Sequence, residues 1–176
     1  MSNFYLIDGY NVMHCIPDLA KLANHSLESA RDKLAERIAK WSDSTGVNVQ
    51  LIFDGRGRHS ETQPEDRRGG GFSTVYTSHE VSADALIERA VYKADAKNSV
   101  VVVSGDRGIT DLCLGMGAIV MSPNHFLTTL HEADQQVSES IEARKRQSEG
   151  FGRVEDQLGG DSLSTLEELR KRLEDE

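Results

Sequence analysis

Three aspartates close apolar runs in this 176-residue chain. They stand in Phe4-Tyr5-Leu6-Ile7-Asp8-Gly9, in Leu51-Ile52-Phe53-Asp54-Gly55, and in Gly105-Asp106 just after the valine-rich Ser99 to Ser104. A fourth, Asp84, follows Ser82 at the start of a helical pattern, with Glu88 one turn further on. Asp111 lies five residues past Asp106. Carboxylates gathered in one place repel one another unless a cation neutralises them. Oxygen ligands without Cys or clustered His select Mg²⁺ or Mn²⁺ over zinc. An ion held that way by a few carboxylates and waters commonly serves phosphate chemistry. Each acid also has a plain structural role open to it. Asp before Gly is a common turn residue, Asp84 can complement a helix dipole, and Glu88 and Asp111 can be solvated. It is the coincidence of three strand-end aspartates with a fourth opening a helix that turn chemistry alone does not explain.

The elements that must position these residues follow from the apolar pattern. Phe4 to Asp8, Val47 to Phe53, Phe72 to Thr77, Ser99 to Ser104 and Ala118 to Met121 read as five strands. Leu27, Ala30, Leu34, Ile38 and Trp41 recur at helical spacing up to Gly46, with Ser26 or Ser29 as the cap. Ser82 caps a helix through Leu86, Ile87, Ala90, Val91 and Ala94. A short helix runs through Leu112 and Leu114, and Pro123 starts a last one extending to about Gln147. Strands alternating with helices predict a doubly wound α/β fold, a mainly parallel five-stranded sheet with helices on both faces. Ligands of such sheets bind beyond the carboxyl ends of the strands, near the point where strand order reverses. Neighbouring strands are about 5 Å apart, so Asp8, Asp54 and Asp106 can converge there. Residues 1–147 are expected to form this domain, 148–161 a Gly-rich linker, and 162–176 an acidic helix with Leu163, Leu166, Leu169 and Leu173 on one face.

Asp8-Gly9-Tyr10-Asn11, Phe53-Asp54-Gly55, Ser82-Ala83-Asp84-Ala85-Leu86-Ile87-Glu88 and Ser104-Gly105-Asp106 together resemble the NYN domain family. The resemblance is to its YacP-like branch, relatives of the PIN-domain nucleases, and it spans about Phe4 to Ala143. It implies a PIN-like sheet and metal-dependent endoribonuclease activity on RNA. By the same resemblance Asp8, Asp84 and Asp106 would hold Mg²⁺ or Mn²⁺, and Asn11 would orient a metal-bound water or a phosphate. Asn11 can equally make a local turn bond. Asp54, Glu88 and Asp111 are weaker metal candidates. Many PIN relatives carry another Asp two residues after the strand-end one, where this chain has Gly108. That departure puts a second metal in doubt unless Asp111 substitutes.

Arg56, Arg58, Arg67 and Arg68, with His59, lie in a polar segment containing Pro64 and three consecutive glycines. A long basic loop there would contact an RNA backbone, although Glu61, Glu65 and Asp66 dilute its charge. His14, His59 and His79 have no spacing that marks a general acid. Tyr10 fits a core position better than a base-stacking one. The net charge of −9 argues against binding nucleic acid through overall basicity. From Ser148 onward the chain carries nine acidic and four basic residues, so about half of that excess sits in the tail. Two cysteines without ligand spacing, Cys15 and Cys113, are expected to be free buried thiols. No apolar run approaches the roughly 20 residues of a membrane span, and Met1 leads straight into a strand, so the expected compartment is the cytoplasm. A haloacid-dehalogenase-type phosphatase needs Asp where Tyr10 stands, and a phospho-accepting receiver needs a Lys near Met121-Ser122-Pro123. The reading is therefore hydrolysis of single-stranded RNA, messenger RNA foremost, with the ribosome as a candidate presenter. The rival is a catalytically silent RNA- or ribosome-binding module with a structural cation.

Overall fold

The computed structural model describes residues 3–55, 71–77 and 81–150, without the side chains of 98 and 147–150. Five strands run β1 Phe4–Asp8, β2 Asn48–Phe53, β3 Phe72–Tyr76, β4 Val100–Val103 and β5 Ile119–Met121. Six helices are α1 Gly9–His14, α2 Pro17–His25, α3 Leu27–Thr45, α4 Ala83–Lys93, α5 Arg107–Gly115 and α6 Pro123–Gly150. The strands form one sheet in the order β3-β2-β1-β4-β5, and every pairing is parallel. The chain winds outward from β1 in one direction through β2 and β3, then returns to add β4 on the other side of β1. The carboxyl ends of β1 and β4 thus flank the crevice where such a fold places its ligands. The expected doubly wound α/β architecture is the one observed.

Side-chain alternation along each strand sorts the core into two layers. Tyr5, Ile7, Leu51, Phe53, Val101 and Val103 pack with Val12, Leu34, Ile38, Trp41, Phe126 and Leu130 of the α1, α3 and α6 side. Leu6, Ile52, Val100 and Val102 pack with Ile87, Val91, Ile109 and Cys113 of α4 and α5. Trp41 anchors the first layer, edge-on to Tyr5 with ring centroids 4.9 Å apart and to Phe126 at 5.2 Å. Ser26 is the cap of α3, its Oγ accepting the Ser29 amide at 3.2 Å, and Gly46 ends that helix in the left-handed region at φ 69°.

Several details differ from the sequence expectation. Residues between β1 and Ser26 form two additional helices. Asp8 caps α1 directly, and Pro17 starts α2, where its missing N–H costs nothing. The turn Lys97–Ser99 is 3-10, so β4 starts at Val100. Cys113 is buried but Cys15 is exposed, because it lies just past the end of α1 rather than on an inward face. The expected linker and acidic helix lie beyond the described residues, save for 148–150, which continue α6. The chain divides into two compact units, Met1–Asp134 and Gln135–Glu176. The described part of the second is the later stretch of α6, where Arg146 meets Glu142 at 3.3 Å. Among the described residues, no helix is long and apolar enough to cross a membrane.

Candidate active site

Strand register decides which carboxylates share a face. Asp8 follows Leu6 and Asp54 follows Ile52 by two residues, and Ser104 follows Val102, so all three belong to the layer covered by α4 and α5. Asp8 is the last residue of β1 and is buried. Its Oδ1 accepts the Asn11 amide at 3.1 Å, and its Oδ2 accepts a hydrogen bond from the Asn11 side-chain amide. The buried Ser104 hydroxyl approaches the same Oδ2 at 3.4 Å and accepts the Asp106 amide at 3.1 Å. One serine therefore links the turn after β4 to the end of β1. Asn11 uses its side chain on the Asp8 carboxylate rather than on backbone.

Asp106 is exposed and caps α5, with Oδ1 accepting the Gly108 amide at 2.7 Å and the Ile109 amide at 3.3 Å. Gly108, whose amide the carboxylate accepts, is thus part of the cap. Asp54 is half-buried and takes a 3.3 Å hydrogen bond from the Thr77 hydroxyl, which also accepts the Gly55 amide at 3.1 Å. Asp84 lies in the first turn of α4, whose cap is Ser82 as the sequence indicated. Burial, and then the like charges of Asp8, Asp106 and Asp54, push the Asp84 carboxyl above its ordinary value. Four acids from four separate elements thus act on one region.

The remaining sequence candidates lie farther along the helices or outside the described residues. Glu88 is exposed, one turn on from Asp84 in α4. It lies near Cys113, whose thiol is pushed up first by burial and then by Glu88. Asp111 is exposed on α5, and His14 is exposed at the end of α1. Arg56, Arg58, His59, Arg67, Arg68 and His79 lie outside the described residues. Sequence reasoning did not single out Thr77 or the hydrogen-bonding role of Ser104. A hydroxyl residue next to glycine at a strand end is the signal that marks Ser104, while Thr77 is marked only as the hydroxyl that ends its strand. It also passed over Arg31, a buried arginine that donates to the Tyr10 hydroxyl.

Among the described residues, no three Asp, Glu, His or Cys side chains stand in an arrangement that could hold a metal ion by themselves. The acids are neighbours rather than a closed cage. The donor set nevertheless fits a hard divalent cation. It is all oxygen, Asp84 carries a charge that its surroundings disfavour, and Mg²⁺ commonly needs only one or two carboxylates beside water and substrate phosphate. A cavity of about 430 Å³ lies along α3, between Asp32, Glu36, Lys40 and Phe72, and includes none of these acids.

Comparison with known proteins places the chain in a family. A YacP-like NYN domain model matches residues 5–171. The match runs past Ala143 into most of the acidic tail, further than the motifs alone reach. An uncharacterized protein YacP of Bacillus subtilis (strain 168) is 27% identical over 172 residues, covering 94% of this chain and 95% of its own. The crystal structure of Rae1 (YacP) from Bacillus subtilis is similar with a TM-score of 0.68 at 24% identity, over 96% of this chain and 95% of that one. A tryptophan-to-leucine mutant of that protein also gives 0.68, at 23% identity over 81% of this chain and 83% of that one. At those identities the solved structures speak to the fold. The family match covers nearly the whole chain, and the protein belongs to the YacP-like NYN domain family.

Proposed function

We propose that this protein is a divalent-metal-dependent endoribonuclease that hydrolyses phosphodiester bonds of single-stranded RNA. The observation that carries the reading is the link through Ser104 between Asp8 at the end of β1 and Asp106 just past β4, with Asp84 pushed up by burial and by the charges of Asp8, Asp106 and Asp54. Four carboxylates near one another, with Asp84 disfavoured as an anion by burial and by the other three, make physical sense where a cation and a phosphate meet. Membership of a family related to the PIN nucleases supports the same chemistry.

In this reading Asp8, Asp84 and Asp106 hold Mg²⁺ or Mn²⁺, with Asp54 as a further negative charge beside them. The ion, when bound, supplies an activated water and neutralises charge on the leaving oxygen. Asn11 and Ser104 fix Asp8 through its two carboxylate oxygens, so Asp8 does not have to reorganise when substrate arrives. The P–O3′ bond breaks, leaving a 5′-phosphate and a 3′-hydroxyl. Messenger RNA in the cytoplasm is the proposed substrate, presented free or by the ribosome.

The experiment is cleavage of an end-labelled single strand in Mg²⁺, Mn²⁺ or EDTA by the native chain and by Asp106→Asn. Cutting that needs the cation and disappears with the substitution is the expected result. RNA binding without cutting, unchanged by Asp106→Asn, would instead favour a binding module with a structural cation.

A further inference from the structure

A second constellation occupies the same carboxyl end of the sheet, on the opposite face. Phe53 ends β2 and Tyr76 ends β3, their rings stacked with centroids 5.6 Å apart and planes 18° apart. Tyr10, two residues past Asp8, meets Phe53 edge-on at 5.4 Å. The Arg31 guanidinium lies 5.2 Å from the Tyr10 ring centroid, 5.7 Å from Phe53 and 5.6 Å from Tyr76, and donates to the Tyr10 hydroxyl. Arg31 is only 7% exposed, whereas Tyr10 and Tyr76 are half-buried and keep part of their surface in solvent.

This is an unusual way to finish a core. Leucine or methionine at position 31 would fill the space below the rings without desolvating a cation. Rings with solvent-facing surface packed around a buried guanidinium make a chemically specific surface, flat and polarisable. That combination matches a nucleobase, since bases stack on aromatic rings whatever their sequence. Placement supports the match. Gly9 has no room for a side chain because the Phe53 ring lies against it, so the aromatic group begins one residue from Asp8.

We propose that Tyr10, Phe53, Tyr76 and Arg31 form a stacking shelf for one unpaired nucleobase of the RNA strand whose phosphate lies at the carboxylates. The inference rests on the nuclease reading and adds to it a substrate requirement. The strand must be unpaired at a defined nucleotide beside the cut, because a base held in a duplex cannot reach the shelf. Arg31 and Phe53 hold the rings in place, and Tyr10 and Tyr76 present them.

Short single-stranded RNAs with an abasic site stepped along the sequence are the probe. Their affinity is measured with Mg²⁺ for the full chain carrying Asp106→Asn, which keeps the strand intact, with and without Tyr76→Leu or Tyr76→Phe. Tyr76→Leu is expected to weaken binding of the fully based strand by about fivefold or more, and Tyr76→Phe to leave it unchanged. At one abasic position the Tyr76→Leu effect should vanish, which a merely structural role for Tyr76 does not produce. An effect that persists at every abasic position, or no effect at all, overturns the shelf. If the native chain cuts RNA while Tyr76→Leu binds as tightly as its parent, the shelf falls and the nuclease stands. If the chain neither binds nor cuts single-stranded RNA, both fall.

Discussion

Gly105 leaves room for the side chain of Asn11: a Cβ at position 105 would stand 2.7 Å from the Asn11 Oδ1. Because Asn11 holds the Asp8 carboxylate through its backbone and side-chain amides, a methyl group at 105 acts on Asp8 at one remove. The displaced atom is the end of a flexible side chain, so the fold can give way cheaply. Gly105→Ala is therefore expected to lower cleavage about 10- to 100-fold, the cost of a small misplacement, while changing stability by less than about 1 kcal/mol. Gly55 offers the contrast, since a Cβ there would collide with the Thr77 carbonyl, which is backbone. Gly55→Ala should cost about 1–3 kcal/mol of stability. Cleavage kinetics and urea titrations of the two variants, run side by side, check both expectations.

Asp106 caps α5 as well as standing in the proposed site, and the two roles can be separated. Its Oδ1 satisfies two amides at the start of α5. Asn caps a helix about as well as Asp, whereas Ala loses about 0.5–2 kcal/mol. Asp106→Asn should thus melt near the native temperature and cut no RNA, and Asp106→Ala should lose both. A melting temperature of Asp106→Asn as low as that of Asp106→Ala would show that the charge, not the cap, stabilises this end of the helix. Asp8 is a less clean target, since three donors converge on its carboxylate and an amide there would face some of them.

The layer opposite the carboxylates carries much of the stability. Phe126 is fully buried and meets both Trp41 and Tyr5. Phe126→Ala is expected to cost about 3–5 kcal/mol. The single tryptophan, 4% exposed, gives the readout, as its fluorescence reports loss of the same cluster during denaturant unfolding. A loss below about 1 kcal/mol would mean that the cluster collapses around the missing ring.

The strands and the Asp-Gly endings were legible in the sequence because a buried parallel strand is a short apolar run that must stop where the sheet stops. Asp8 and Asp54 mark those stops directly. Residues 9–25 were less legible. Their helices are short, and their starts depend on Asp8 acting as a cap at the same time as it ends a strand. The sequence also placed Glu88 with Asp84 because four residues make one helical turn. The packing adds that Glu88 is exposed and also lies near Cys113 of α5. Ser104, Thr77 and Arg31 were invisible as site residues for a related reason, since each matters through a partner 21 to 96 positions away.

The raised carboxyl of Asp84 links protons, cations and stability. An acid whose folded-state value lies above its ordinary 3.8 takes up a proton in the folded state before the unfolded state does. The folded form then binds more protons in that window, so stability rises as pH falls through it and the penalty is present in full above it. Asp84→Asn removes a disfavoured charge, so in EDTA at neutral pH it should melt higher than the native chain. The difference should shrink as pH is lowered towards the ordinary carboxylate range. A divalent cation competes with the proton for the same oxygens. Adding Mn²⁺ should therefore raise the melting temperature of the native chain at neutral pH far more than that of Asp84→Asn, and should do so less as pH falls. Thermal melts on a grid of pH and Mn²⁺ concentration read all three effects. If Asp84→Asn gained stability but responded to Mn²⁺ as fully as the native chain, Asp84 would be a strained neighbour of the cation site rather than one of its ligands. Asp8 and Asp106 would then have to bind the ion without it.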